Sequence, residues 1–147
     1  MAHANALELK VCSTRRPNIA SAEFVIDGRL LREHCEKAAK QSFDLVSPFG
    51  WAPPAVQLEV AERMLLRKPS ALFSGRMELL VCPECTDLGC GCISAKMNRV
   101  GDYFEWSELG YENTYDPALP RIFPMRPFVV DAKQLTHLLR QHVADLT

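Results

Sequence analysis

The sequence predicts a single α+β domain over residues 1–147, with an antiparallel or mixed sheet, a central hairpin and about three helices packed on one face. Three observations predict it. The chain has 147 residues, 48% apolar and 24% charged, which suits one globular core without staples. Short stretches with a period of two are interleaved with stretches of helical period. Finally, Phe24-Val25-Ile26-Asp27 is echoed by Phe128-Val129-Val130-Asp131. Each reads as a short strand ending on an aspartate that caps an amphipathic helix, so two strand-helix units bracket a central hairpin.

Leu7, Leu9 and Val11 alternate with Glu8, Lys10 and Cys12, and Ala22, Phe24 and Ile26 alternate with Glu23, Val25 and Asp27. Both stretches predict half-buried strands, joined by a loop containing Arg15, Arg16 and Pro17. From Gly28 the period changes, and Leu30, Leu31, His34, Cys35 and Ala38 form one helical face with Asp27 near the N-cap. Residues 41–54 carry Pro48, Gly50, Pro53 and Pro54 and predict a loop. Val56, Val60, Ala61, Met64 and Leu65 then suggest a second helix ending before Pro69.

Met77, Leu79 and Val81 mark a strand leading to Cys82. Ile93 to Asn98 and Tyr103 to Leu109, separated by Val100-Gly101-Asp102, give the hairpin signal. Ile122 to Val130 is strand-like, but Pro124 and Pro127 confine it to an edge or break it in two. Leu135, Leu138, Leu139 and His142 mark a closing helix, with Asp131 and Gln134 spaced as in a capping box.

Composition narrows the function classes. The N-terminal Met-Ala-His-Ala-Asn-Ala-Leu-Glu lacks a basic region followed by an apolar run, so no secretory signal is expected. The longest apolar runs are only a few residues, against about 20 for a bilayer-spanning helix, so a cytoplasmic location is expected. In that reducing setting the six cysteines are thiols or metal ligands. A net charge of −1 excludes a general pull on nucleic acid or an acidic membrane.

Four of the cysteines are packed together. Cys82-Pro-Glu-Cys85-Thr-Asp-Leu-Gly-Cys90-Gly-Cys92 has a zinc-knuckle-like first half, and four thiolates satisfy a tetrahedral zinc ion. If residues 90–92 begin a strand, alternation aims Cys90 and Cys92 to the same face. The cofactor expectation is therefore none, or one zinc ion on Cys82, Cys85, Cys90 and Cys92. A redox-active Cys82/Cys85 dithiol is the other chemical reading, but Glu84 and Asp87 oppose it by like-charge repulsion with a thiolate. A loop of small buried thiols, with Gly89 and Gly91 allowing unusual backbone angles, is the structural alternative.

The run Val81-Cys82-Pro83-Glu84-Cys85, followed by Asp87-Leu88-Gly89-Cys90-Gly91, resembles a segment of small uncharacterised bacterial proteins. There too it precedes a hairpin with a tryptophan on the return strand, the position of Trp106. Cys92 stands where that pattern has a small residue other than cysteine. The resemblance implies a family shape and no known activity.

From Gly101 to Pro120 there is no lysine or arginine, while Asp102, Glu105, Glu108, Glu112 and Asp116 supply five negative charges. Tyr103, Phe104, Trp106, Tyr111 and Tyr115 are interleaved with them. Tyrosine and tryptophan dominate binding hot spots, and acids around them steer a basic partner. Phe104 and Trp106 also alternate like strand core residues, whereas Gly110 to Pro117 is too polar and loop-like for a core. Asp102, Glu105, Glu108, Tyr111, Glu112, Tyr115 and Asp116 are accordingly the expected partner-binding residues.

No phosphate-binding glycine loop, nucleophile elbow or zinc-protease helix motif is present. His137 and His142 do not share a helical face, and His34 reads as a satisfied core residue, so no catalytic residue is expected. The expected function is a non-enzymatic protein-binding domain, of the kind of a bacterial immunity protein that neutralises a basic toxin domain. The alternatives are a zinc-stabilised binding domain and a dithiol oxidoreductase.

Overall fold

The computed structural model describes residues 4–14, 16, 18–84, 88–116 and 118–147. Strands β1 (Leu7–Ser13) and β2 (Ala20–Ile26) pair antiparallel, Leu7 opposite Ile26, and the short β3 (Arg29–Leu30) adds to the end of β2. A second sheet runs in the order β4 (Met77–Leu80), β5 (Cys92–Val100), β6 (Tyr103–Glu112) and β7 (Arg121–Ile122). Strand β8 (Phe128–Asp131) also pairs with β6. The helices are α1 (Leu31–Ala39), α2 (Pro54–Met64) and α3 (Ala132–His142).

The fold is α+β, and its strands form two antiparallel sheets where the sequence suggested one. The two prolines do break the Ile122–Val130 stretch, leaving β7 and β8 on either side. Among the described residues no helix is long and apolar enough to cross a membrane.

One core joins the two sheets. Phe24 on β2 meets Trp106 on β6 edge to face, with ring centroids 5.4 Å apart and planes at 77°. Phe49 packs on Phe24 in the same manner at 6.1 Å. All three side chains are fully buried. Strand β2 was expected to be half-buried, yet every residue from Ser21 to Ile26 is buried.

The reason is the segment 45–50, which covers the part of β2 that β3 leaves unpaired. The Ala22 N–H donates to the Phe49 carbonyl at 2.8 Å, and the Ser47 N–H to Glu23 at 2.9 Å. Gly50, with φ +92°, permits this approach: a Cβ there would lie 3.1 Å from the Ala22 nitrogen. Glu23 is thereby a buried carboxyl. Desolvation raises its pKa, against the Ser21 hydroxyl and Ser47 amide that favour the charged form.

The two aspartates of the echo behave differently. Asp131 caps α3 as expected, accepting from the Gln134 N–H at 2.9 Å, while the Gln134 side chain reaches the Leu7 carbonyl instead of closing a capping box. Asp27 does not cap α1. It sits in a turn at φ +52° and accepts from Asn5 Nδ2 and the Ala6 N–H, and Leu30 takes the N-cap position because β3 intervenes. His34 is the satisfied residue expected, its Nε2–H donating to the Ile26 carbonyl at 2.8 Å and its ring edge on Phe128.

Because Phe24 and Trp106 bridge the sheets, Phe24→Ala should lower the free energy of unfolding by about 3–5 kcal/mol. A double-mutant cycle over Phe24→Leu and Trp106→Leu, read from urea midpoints, should leave a coupling of roughly 0.5–1.5 kcal/mol beyond the single effects. Zero coupling would remove the ring contact as the link between the sheets.

Candidate functional site

The central hairpin ends in a buried ionic network. Cys92 pairs with Glu112 and Ser94 with Gly110 across β5 and β6, while Glu78 on β4 pairs with Ser94. Steps of two residues therefore place Glu78, Cys92, Ser94 and Glu112 on one face of the sheet. Arg76, just before β4, reaches across all three strands. Its Nε donates to Ser94 Oγ at 2.9 Å and to Glu112 Oε2 at 3.2 Å, and its Nη2 to the carbonyls of Ser94 and Glu108.

The Ser94 hydroxyl also donates to Glu112, as does the Ser74 hydroxyl at 2.9 Å. Arg76 is 4% exposed and Glu112 6%, so these contacts replace water almost completely. Beside them, Glu78 Oε1 accepts from Arg63 at 3.1 Å while its Oε2 is buried without a hydrogen-bond partner among the described residues. Burial raises the Glu78 pKa, opposed by Arg63.

Cys92 lies within this network. Its thiol is pushed up to about 12, chiefly by burial and then by Glu112 and Glu78, with Arg76 pulling the other way. It therefore stays protonated at neutral pH. Cys90 belongs to a 3₁₀ turn (Leu88–Cys90) and is exposed, and β5 begins only at Cys92. The alternation expected to aim both thiols to one face thus never reaches Cys90.

Cys82 is half-buried, and Cys85 lies outside the described residues. Among the described residues no group of three or more His, Cys, Asp or Glu is placed to hold a metal. Cys92 is buried in the ionic network, whereas Cys90 is exposed in the turn before β5. Glu84, expected to repel a neighbouring thiolate, is paired with Arg16 at 2.7 Å, and the same guanidinium holds Asp44 at 3.1 Å.

The acidic residues do not form one patch. Strand β6 is ten residues long, on the order of 33 Å, with Asp102 at one end and Glu112 at the other. Glu112 is withdrawn from the surface by Arg76, which corrects its expected role as a partner contact. Glu108 pairs with Lys96 at 3.0 Å. Asp102, Glu105 and Asp116 make no ion pair among the described residues. Trp106 and Phe104 are core.

Tyr111 is half-buried. One face stacks on Phe43, centroids 5.9 Å apart and planes at 14°. Gly91 lies against its ring, so that a Cβ at Gly91 would sit 2.8 Å from Tyr111 Cζ and closer still to the hydroxyl. Gly91 also has φ +105°, which an L side chain rarely adopts. The cysteine loop and the acidic stretch thus meet at this ring.

Two exposed aromatics flank the network. After Glu112 the loop is shaped by Asn113, whose Oδ1 accepts from the Tyr115 and Asp116 N–H groups, and by Asp116 Oδ1, which accepts from the Ala118 N–H. This turn displays Tyr115 at 80% exposure. A groove of about 430 Å³, lined by Tyr111, Asp116, Arg121 and Gln41 among others, opens beside it. On the other side, Ser74 fastens its own loop to Glu112 and leaves Phe73 fully exposed.

Phe73, Arg76, Glu78 and Ser94 are not marked as functional residues by the sequence pattern. The available signal was a phenylalanine inside the polar turn Ser70-Ala-Leu-Phe-Ser-Gly75, where no strand alternation gives it a core position. Comparison with protein families, curated proteins and solved structures finds no match for the chain.

Removing one partner of the buried pair leaves the other charged and unsatisfied. Arg76→Met should cost about 3–5 kcal/mol of stability, and adding Glu112→Gln should restore part of it, measured by thermal or urea unfolding. Stability should also fall at alkaline pH. Cys92 and Cys35 are both buried thiols raised from 9.0 to about 12, so between those values the unfolded chain has released protons that the folded one keeps. Each thiol removes up to roughly 1.4 kcal/mol per pH unit across that window. Cys92→Ala should make the slope shallower, and an unchanged slope would show that its thiol is not held protonated.

Proposed function

We propose that the chain is a non-enzymatic protein-binding domain whose contact surface centres on Phe73 and Tyr115 and whose partner is basic. The observation that carries this reading is that two strongly exposed aromatics stand on separate loops beside the buried network, Phe73 on a loop that Ser74 ties to the Glu112 carboxylate and Tyr115 on the Asn113 turn that follows Glu112 in the chain. A large aromatic ring in water is unfavourable to leave exposed, and a fixed ring loses little entropy on binding. Both conditions suit a hot spot.

The charge pattern points to the sign of the partner. No cation occurs from Gly101 to Pro120, and Asp116 beside Tyr115 makes no ion pair among the described residues. Asp102 and Glu105 lie further along β6, where they steer approach more than they make contact. Neutralisation of a basic toxin domain, the work of an immunity protein, fits a binder of this charge.

The test is co-expression with the product of the adjacent gene, followed by titration of the purified components. Phe73→Ala and Tyr115→Ala should each weaken Kd by about tenfold or more without lowering Tm, since neither side chain is packed in the core. Glu105→Lys should slow association and reduce its dependence on salt. A complex whose Kd is indifferent to both aromatic substitutions would remove this surface.

A further inference from the structure

A second groove, larger than the one beside Tyr115, lies elsewhere and has the opposite charge. It measures about 570 Å³ and is formed by four chain segments: Asn5 before β1, Arg29 on β3, the stretch of α1 from His34 to its C-cap Lys40, and residues 124–128 leading into β8. Arg29, Lys37, Lys40 and Arg126 stand around it, and none of the four makes an ion pair or hydrogen bond through its side chain with another described residue. No carboxylate lines the groove. The nearby Asp27 is turned to Asn5 Nδ2 and the Ala6 N–H.

Lys37 and Lys40 alone would suit the negative end of α1. Arg29 and Arg126 have no such reason to be there, and bringing four like charges round one cavity costs stability unless an anion answers them. The floor is of another character. Phe128 is buried with the His34 ring against it, and Met125 and the prolines on either side of the Met125-Arg126 pair add apolar, conformationally restricted surface. An apolar floor with a few convergent charged groups, in a cavity of this volume, is the usual form of a small-molecule site.

We propose that this groove binds a small organic anion, an apolar body carrying a phosphate or carboxylate, with the body on Met125 and Phe128 and the anion between Arg126, Arg29 and the α1 lysines. The site shares no residue with the Phe73 and Tyr115 surface, so either can fail without the other.

Adenosine monophosphate and octyl phosphate serve as probes, with inorganic phosphate as the charge-only comparison, titrated at low ionic strength and followed by amide chemical shifts. One organic phosphate should bind at least about tenfold more tightly than inorganic phosphate, shifting residues 29, 37–40 and 125–128. Which of the two binds tells whether the body is a nucleoside or an alkyl chain. Lys37→Glu with Arg126→Glu should weaken that binding by about tenfold or more. Met125→Asp should weaken it while leaving all four cations in place.

Inorganic phosphate binding as tightly as both probes would overturn the proposal, as would absence of binding or affinities unmoved by the substitutions. If the double charge reversal lowers Tm, the wild-type shifts decide alone: perturbations centred outside the groove overturn it.

Discussion

Arg76 makes one guanidinium serve three strands. It leaves the chain just before β4, binds Ser94 on β5 and ends on Glu112 and the Glu108 carbonyl of β6. Two charges so nearly removed from water are tolerable only when their hydrogen-bonding capacity is largely met, and here two serine hydroxyls and two carbonyls add to the ion pair itself. A hydrophobic pair of the same volume could serve stability as well. What the ionic pair adds is direction, because a guanidinium and a carboxylate meet in a few orientations only, and those orientations set where the 70–76 loop and the 113–121 loop leave the sheet.

That constraint separates two kinds of surface. The loops on either side of the network carry exposed aromatics, one tied to Glu112 by Ser74 and the other shaped by Asn113, and Asp116 among them makes no ion pair with another described residue. The groove beside α1 carries cations that make no ion pair among the described residues, over an apolar floor, and is built mainly from the first strand-helix unit and the proline segment. A chain of net charge −1 thus carries surfaces of opposite charge, which cancel in the total and are visible only once the residues are placed.

The elements with strong periodicity were legible in the sequence. The hairpin of β5 and β6, the split of the Ile122–Val130 stretch by its prolines, α2, and the Asp131 cap of α3 follow from alternation, ring chemistry and capping, all of which act over a few residues. What was not legible depends on partners far along the chain. Asp27 resembles Asp131 locally, but Asn5 and Ala6 claim its carboxylate. Glu23 and Glu78 read as solvent-facing by alternation, yet segment 45–50 covers one and Arg63 meets the other. Glu112 reads as an exposed acid until Arg76, 36 residues earlier, is placed against it.

The packing of Tyr111 between Phe43 and Gly91 ties two distant positions to a common fate. Space for a side chain at 91 exists only if the ring at 111 is absent, and even then the left-handed backbone disfavours anything but glycine. Drift at either position is thus asymmetric: a smaller residue at 111 opens a void that glycine at 91 tolerates, whereas a larger residue at 91 is barred while tyrosine remains. Among chains that share this fold, glycine at 91 should outlast tyrosine at 111, and the order of their loss would record the history of the loop.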